Sequence, residues 1–302
     1  MNCDLSLSLQ HRGTWYTTAF PLGRGTISEQ QIEKFRLDSI RHIVAVASGK
    51  GGVGKSTVSV NLAVALAASG AKVGLLDADI YGPSQGMLLG LPADTRPDVQ
   101  NDLLEPIEAY GVRCMSMSFV MSERTPAIWR GPMASGAMQQ LLTQTDWGEL
   151  DYLIVDMPPG TGDIQLTLAQ RVPLAGAVIV TTPQDVALLD ARKGIEMFRK
   201  VEVPVLGIVE NMSTHVCSEC GHEEQIFGSG GGAAVAENYH TELLAQLPLN
   251  LELRLASDKG DPLVHSAPQA DISRRFADVA ERVVGQIDAQ ARSVPVINIF
   301  DD

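Results

Sequence analysis

The sequence predicts an α/β fold, with a single domain built on a mostly parallel central sheet and helices on both faces. Short apolar runs rich in β-branched residues alternate with longer segments of helical apolar spacing along most of the chain. A glycine-rich loop joins the first apolar run to the first helical segment. The 302 residues suit one large α/β domain, and neither an internal repeat nor a low-complexity linker divides them.

The first strand, the loop and the following helix form the strongest motif. Residues 43–47 are predicted as a buried strand, residues 49–57 contain the pattern G-x-x-x-x-G-K-[ST], and residues 58–68 have helical spacing. Glycines let backbone N–H groups point at phosphates, and the helix N-terminus adds a partial positive charge. This order predicts a P-loop NTPase domain that binds ATP through Gly49, Gly51, Gly52, Val53, Gly54, Lys55, Ser56 and Thr57.

Three side chains of this loop have separate predicted roles. Lys55 is placed for the β- and γ-phosphates, and the Ser56 hydroxyl can bind Mg²⁺. Lys50 follows the first glycine, and the loop thereby resembles the deviant Walker A motif of the MinD/ParA/nitrogenase-iron-protein class. That resemblance implies that Lys50 reaches the phosphates of the partner subunit in a nucleotide sandwich dimer. The alternative is a solvated loop lysine.

Further strands and helices follow in alternation. Strands are predicted near 71–76, 112–120, 151–156, 175–182, 203–210 and 243–249. One helix is predicted to end near Leu142, and two more are predicted at 186–200 and 271–289. Cys114, Met115 and Met117 are expected in the core, and 92–110 as a loop. The predicted organisation is an arm at 1–40 with a short helix from Ser28, an ATPase domain at 41–290 with a metal loop near 211–232, and a tail at 291–302.

Acidic residues follow two of the predicted strands. Asp156 ends a buried strand, which is a Walker B arrangement that can hold Mg²⁺, through water. Asp77 and Asp79 follow another strand. The resemblance implies that Asp79 orients the attacking water and that Asp77 lies near Mg²⁺; surface turn aspartates are the alternative. Because no other strong base is evident, we expect slow hydrolysis, with Lys55, Mg²⁺ and Lys50 of the partner subunit stabilising the transition state.

Two further segments are candidates for sensing or reading the nucleotide. Residues 160–163 resemble a switch that senses the γ-phosphate, although Asp163 can equally cap the next helix. Asn211 follows the strand predicted at 203–210. Its amide both donates and accepts hydrogen bonds, as pairing with the N6 and N7 edge of adenine requires. By resemblance it is the adenine reader, and a turn asparagine is the alternative.

Cys217 and Cys220 form a C-x₂-C pair that can place two thiolates on one soft metal. One such pair fits zinc, an iron–sulfur cluster or a redox dithiol. His215 and His222 flank it, but four zinc ligands within eight residues are cramped. A [4Fe–4S] cluster needs four thiolates, which a two-fold dimer would supply.

The combination of motifs resembles the Mrp/ApbC family of P-loop ATPases, from Ile43 to Val264. The matching stretches are 49–57, 77–84, 129–133, 156–163, 182–188, 210–213 and 217–220. The resemblance implies a homodimeric ATPase that holds a bridging [4Fe–4S] cluster on Cys217 and Cys220 of both chains and transfers it to apo-proteins. Many family members have a larger N-terminal domain, whereas about forty residues precede the P-loop here. Cys3 is not expected to be a ligand.

Composition narrows the classes of partner. The formal net charge is -13, so the chain as a whole would repel DNA and anionic membranes, and a local basic patch is the alternative. No apolar run approaches the ~20 residues that span a bilayer. Four cysteines do not make a disulfide scaffold, and no secretion signal is evident. We therefore expect a cytoplasmic protein that binds neither nucleic acid nor membrane.

Two rival functions remain open at this stage. A MinD/ParA-like positioning ATPase needs a membrane helix or a DNA-binding surface, and the last predicted helix has charges of both signs instead of a basic face. A zinc-stabilised, nucleotide-dependent scaffold would hold metal without transferring a cluster. Anaerobic metal and sulfide analysis would separate the carrier from the scaffold: iron with sulfide supports the carrier, and zinc alone supports the scaffold.

Overall fold

The computed structural model describes residues 34–120, 131–217 and 219–293, with no side-chain detail at 131, 132 and 293. The described residues belong to one compact unit. Cys3, the start of the helix predicted from Ser28, Trp129, Arg130 and the tail from residue 294 lie outside the described residues. No described helix is long and apolar enough to cross a membrane.

Strands and helices alternate along most of the chain as predicted, but the segment 92–110, predicted as a loop, contains three short strands. The strands are β1 (Ile40–Ala47), β2 (Val73–Asp77), β3 (Val99–Gln100), β4 (Leu103–Leu104), β5 (Ile107–Ala109), β6 (Val112–Ser116), β7 (Leu150–Asp156), β8 (Leu174–Thr181), β9 (Val205–Val216), β10 (Glu223–Glu224) and β11 (Leu243–Leu249). The helices are α1 (Lys55–Ala68), α2 (Gln85–Leu88), α3 (Met117–Val120), α4 (Gly131–Thr143), α5 (Asp163–Arg171), α6 (Asp185–Lys200), α7 (Gly231–Asn238), α8 (Leu251–Lys259), α9 (Leu263–Ser266) and α10 (Asp271–Ser293).

The central sheet has the order β10-β9-β8-β1-β7-β2-β6-β5, and β11 also pairs with β9. The pairs that β1, β2, β7, β8 and β9 form with one another are parallel, whereas β5–β6 and β9–β10 are antiparallel. The middle of β1 and all of β2 are buried, as expected for strands covered on both faces. The predicted mostly parallel sheet is confirmed.

The helices cover both faces because the sheet grows in two directions from β1. The β1–α1–β2 connection moves toward β6, whereas β8–α6–β9 moves the opposite way. Right-handed crossovers in opposite directions place α1 and α6 on opposite faces. α9 and α10 pack against α1, and α7 packs against α6.

The strand predicted at 112–120 is wrong beyond Ser116. The chain turns into α3 there, and the Ser116 hydroxyl accepts a hydrogen bond from the N–H of Ser118 at 3.2 Å. This local bond competes with continuation of the strand. Cys114, Met115 and Met117 are buried, as predicted.

The strand predicted at 203–210 is too short. β9 continues to Val216, with Met212 at a φ of 55° where the register to β11 becomes irregular. Helices α7 and α8 were not predicted. α7 begins in a glycine run, which is more typical of a loop. α8 does have a sequence feature that could have revealed it: Asn250 caps the helix by accepting the Leu253 N–H at 2.7 Å.

Candidate nucleotide and metal site

The P-loop connects the end of β1 to the start of α1, as the motif predicts. Gly54 occupies the N-cap of α1 with a φ of 87°, and a Cβ there would collide with the Asn211 side chain. A Cβ at Gly49 would collide with the backbone of Asp190 on α6. Among the described residues no side chain caps α1, so its first-turn N–H groups are available to an anion.

Lys55 and Asp156 form a buried ion pair at the centre of the site. Their Nζ–Oδ1 distance is 2.7 Å, and the side chains are 6% and 0% exposed. Asp156 also accepts hydrogen bonds from Ser59 Oγ and Gln85 Nε2, each at 2.8 Å. Gln85 additionally donates to the carbonyl of Ser56 at 3.1 Å. Neither Ser59 nor Gln85 belongs to a motif that the sequence shows, although the i, i+4 spacing of Ser59 from Lys55 on α1 could have indicated Ser59.

Asp77 lies beside Asp156 because their strands are in register. Its carboxylate accepts hydrogen bonds from the N–H groups of Ser84 and Gln85 at 2.8 and 3.0 Å and from Ser116 Oγ at 3.1 Å. Burial, followed by the charge of Asp156, raises the pKa of Asp77 to about 7.

The oxygens around these two carboxylates fit Mg²⁺. Ser84 Oγ and Gln85 Oε1 are buried and have no hydrogen-bond partner in the part of the chain that the structure describes, and the Ser56 hydroxyl is 3.4 Å from Lys55 Nζ. Oxygen ligands with net negative charge are what this hard cation prefers. A divalent cation would also relieve the repulsion that raises the pKa of Asp77.

Asp79 adjoins this buried pair of carboxylates, and its N–H donates to Asp77 Oδ1 at 3.2 Å. It is partly buried, and burial raises its pKa above the ordinary value. With Tyr81 it lines a cavity of about 350 Å³, whose other wall is formed by residues of the 158–165 segment. Asp163 is the first residue of α5, and the N-cap is Gly162. The alternative prediction, that Asp163 itself is the N-cap, is therefore wrong.

Lys50 is half-buried in the P-loop. Its carbonyl accepts a hydrogen bond from Ser48 Oγ at 2.9 Å, which holds the loop backbone. Within the described ranges no carboxylate forms an ion pair with its ammonium group.

Asn211 contacts the P-loop directly. Its Nδ2 donates to the carbonyl of Val53 at 2.9 Å, and its Oδ1 accepts from the Met212 N–H at 2.9 Å. It lines a cavity of about 380 Å³ with Thr57 and with α8, which contributes Arg254 and Asp258. Asn211 therefore anchors the P-loop, and its amide keeps one N–H and one acceptor lone pair for a further partner.

The two cysteines lie in a tight turn immediately after β9. The Gly221 N–H donates to the Cys217 carbonyl and the Cys217 N–H donates to the His222 carbonyl, both at 2.9 Å. Hydrogen bonds from the N–H groups of Cys220 and Glu219, and from the Cys220 thiol, lower the pKa of Cys217. Cys220 is exposed.

The histidines do not complete a metal site in one chain. No group of three or more His, Cys, Asp or Glu residues that could hold a metal ion occurs in the described ranges. His222 instead lies 3.9 Å from Glu224, and His215 is paired in register with Glu224 across β9 and β10. One subunit therefore offers a metal two thiolates.

The match to a family model decides the relationship of this protein to known ones. The model described as ParA: NUBPL iron-transfer P-loop NTPase matches residues 39–284. The chain belongs to this family. The family predicted from the sequence motifs is thereby confirmed, and the chain is a P-loop NTPase.

Several relatives are similar over most of the chain. The chain is 60% identical over 245 residues to an iron-sulfur cluster carrier protein of Pseudomonas fragi, covering 81% of this chain and 85% of that protein. It is 54% identical over 259 residues to the protein of the same name in Escherichia coli K12, and the match covers 86% of this chain and 70% of that protein. It is 49% identical over 269 residues to the iron-sulfur cluster transfer protein NUBPL of Mus musculus, covering 88% and 82%.

Solved structures confirm the fold. A nucleotide-binding protein from Archaeoglobus fulgidus in complex with ADP has a TM-score of 0.70 at 40% identity, covering 80% of this chain and 94% of that one. The cell division ATPase MinD from Pyrococcus furiosus has a TM-score of 0.61 at 22% identity, and the match covers 81% of this chain and 98% of that one. The MinD likeness supports the fold alone.

Proposed function

We propose that this chain is an ATP-hydrolysing carrier of iron–sulfur clusters. Two subunits would bind one bridging [4Fe–4S] cluster through Cys217 and Cys220 of each and transfer it to apo-proteins. The observation that carries the proposal is the exposed turn of two thiols at the end of β9, the strand that also places Asn211 on the P-loop. The names of the relatives at 54% and 60% identity support the same role.

The thiol turn has the chemistry that a temporary cluster site needs. The thiolate is the form that binds iron, and hydrogen bonds to Cys217 favour that form because they lower its pKa. Two thiolates per chain leave a [4Fe–4S] cluster half coordinated, so a second subunit would supply the rest. Exposure of Cys220 leaves the cluster accessible to a recipient.

The P-loop residues would bind and hydrolyse ATP. Lys55 would exchange its contact with Asp156 for the β- and γ-phosphates, while the first-turn N–H groups of α1 hold the phosphate oxygens. Ser56 with Asp77 and Asp156 would hold Mg²⁺, which neutralises phosphate charge when it is bound. Asp79 would orient the attacking water, and Lys50 of the partner subunit would stabilise the transition state. With no stronger base in place, turnover would be slow.

Anaerobic reconstitution tests the carrier function. The wild-type chain should bind about four irons and four sulfides per two chains, elute as a dimer, and restore activity to a separately purified apo-enzyme that needs a [4Fe–4S] cluster. A full cluster on a strict monomer would contradict the bridging site. One zinc per chain, retained by the monomer and lost when His215 or His222 is replaced, would support the scaffold alternative. Recipients and a cytoplasmic location stay predictions.

A further inference from the structure

The cavity of about 350 Å³ between the loop after β2 and the loop after β7 contains an unexplained buried amide. Gln165 is 2% exposed and lines this cavity. Among the described residues, neither its Nε2 nor its Oε1 has a hydrogen-bond partner. Gln85 makes an informative contrast, because its equally buried Nε2 donates to Asp156 and to the Ser56 carbonyl.

A buried amide without partners costs free energy that an apolar side chain of the same size would not. Such a group in a native protein therefore needs an explanation, and a functional one is favoured when it faces a cavity beside a reacting group. Asp79 lines the same cavity. Its carboxylate accepts the Gly82 N–H at 3.3 Å and has capacity for further donors.

The segment that carries Gln165 is connected to the P-loop. Gln165 is the third residue of α5, whose N-cap is Gly162. In the loop just before it, the Gly160 N–H donates to the Ser48 carbonyl at 2.9 Å. A γ-phosphate in the P-loop would compete for that N–H, and the resulting shift of the loop would move the start of α5 relative to Asp79.

We propose that Gln165 is a positioning residue for ATP hydrolysis, whose side-chain NH₂ donates to the Asp79 carboxylate when the two loops close on ATP. The carbonyl end of the same amide would then face the attacking water. The amide would hold one oxygen of Asp79 and leave the other directed at that water. This inference rests on the proposed ATPase chemistry and on the role of Asp79, but it does not depend on the cluster.

The main test is Gln165→Met, which keeps the size of the side chain and removes both polar atoms. Its unfolding temperature should be unchanged or higher than that of the wild type, because no hydrogen bond is lost. ATP affinity and KM should be unchanged, and kcat should fall by about tenfold to a hundredfold, as expected when a reacting group loses its orientation. A merely structural glutamine would show the opposite pattern, with lower stability and unchanged kcat.

Gln286→Met on α10 is the matched control. Gln286 Nε2 donates to Glu242 Oε2 at 2.7 Å, so this variant loses a made hydrogen bond far from the cavity. It should not gain stability, and it should keep the wild-type kcat. Gln165→Glu tests the donor itself, since it keeps the shape but lacks the NH₂ group; its kcat should also fall. Gln165→Leu replaces either variant if that variant does not fold.

The outcomes separate this inference from the proposed function. If the wild-type chain hydrolyses ATP and Asp79→Asn does not, but Gln165→Met and Gln165→Glu turn over at the wild-type rate, the role of Gln165 is wrong and the proposed function stands. If Asp79→Asn turns over normally, both the role of Asp79 and that of Gln165 are wrong. A drop in kcat that only follows the folded fraction of Gln165→Met also overturns the inference.

Discussion

At the P-loop end of the sheet the charged groups are buried and paired, whereas after β9 the Cys220 thiol is exposed, Cys217 is half-buried, and a short turn holds both. Lys55, Asp77 and Asp156 share their hydrogen bonds with four different segments of the chain. Cys217 and Cys220 are held by backbone bonds within residues 217–222. Charge stabilisation in catalysis benefits from a rigid, desolvated site, and release of a cargo requires access. One strand connects the two regions.

The largest effect is expected at the exposed end. Cys217→Ala or Cys220→Ala should abolish cluster binding, because either change removes two of the four thiolates of the dimer. Stability and ATP binding should change by less than about 0.5 kcal/mol, as for surface changes in general. Iron and sulfide analysis, thermal unfolding and nucleotide titration measure the three quantities. Cys114→Ala, in the core, should show the reverse: a retained cluster and some loss of stability. Iron retained by either single variant would contradict the comparison.

Lys55→Ala should damage both binding and folding at the buried end. It removes the charge expected to face the β- and γ-phosphates and leaves Asp156 buried without its cation, which costs about 3–5 kcal/mol. Nucleotide titration and denaturant unfolding measure the two losses. The control is Lys193→Ala, which breaks the exposed pair with Asp190 at 2.9 Å and should cost less than about 1 kcal/mol. Equal losses of unfolding free energy in Lys55→Ala and Lys193→Ala would contradict the claim that the buried ion pair contributes more than the exposed one.

Asp79→Asn should bind ATP normally and hydrolyse it about 10² to 10⁴ times more slowly, since an amide cannot orient and polarise water as a carboxylate does. Steady-state turnover and ATP affinity, measured together, check this split. Normal turnover would remove Asp79 from the mechanism and leave the buried pair Asp77 and Asp156 as the acidic groups to examine.

Lys50→Ala should keep ATP affinity near that of the wild type and lose hydrolysis, because the ammonium is expected to act on the nucleotide of the other subunit. Mixing Lys50→Ala with Asp79→Asn sharpens the test. A mixed dimer has one site with an intact Asp79 and an intact Lys50 of the partner subunit, so part of the activity should return. Wild-type turnover in Lys50→Ala alone would eliminate the trans-acting lysine.

The smallest effect is expected from replacing Asn211, which lies on β9, the strand that connects the two regions. Asn211→Ala removes the hydrogen bond to Val53 and should cost about 1 kcal/mol, with a severalfold loss of ATP affinity. Nucleotide titration with and without the bound cluster would measure whether β9 transmits binding from one end to the other. Equal affinities in the two states, in wild type and variant alike, would show that the two regions act independently.

Local patterns in the sequence predicted the P-loop, the acidic residues after β2 and β7, and the cysteine pair. They succeeded because a parallel sheet brings the carboxyl ends of its strands to one edge, wherever those strands lie in the chain. The alternation of strands and helices likewise predicted the sheet and most of its elements. The strand beyond Ser116 failed because one side-chain hydrogen bond to the backbone redirects the chain.

Only the tertiary structure decided the contacts that depend on strand order and register. The bond from Asn211 to Val53 joins residues 158 positions apart, and that from Gln85 to Asp156 joins residues 71 apart. β9 reaches Val216 because β10 and β11 pair with its last residues, and nothing in residues 211–216 alone indicates those partners. The sequence alone determined which chemical groups the protein has at its strand ends. The fold determined which of them are buried together and which, like Gln165, are buried with no hydrogen-bond partner among the described residues, because burial depends on neighbours that are distant in sequence.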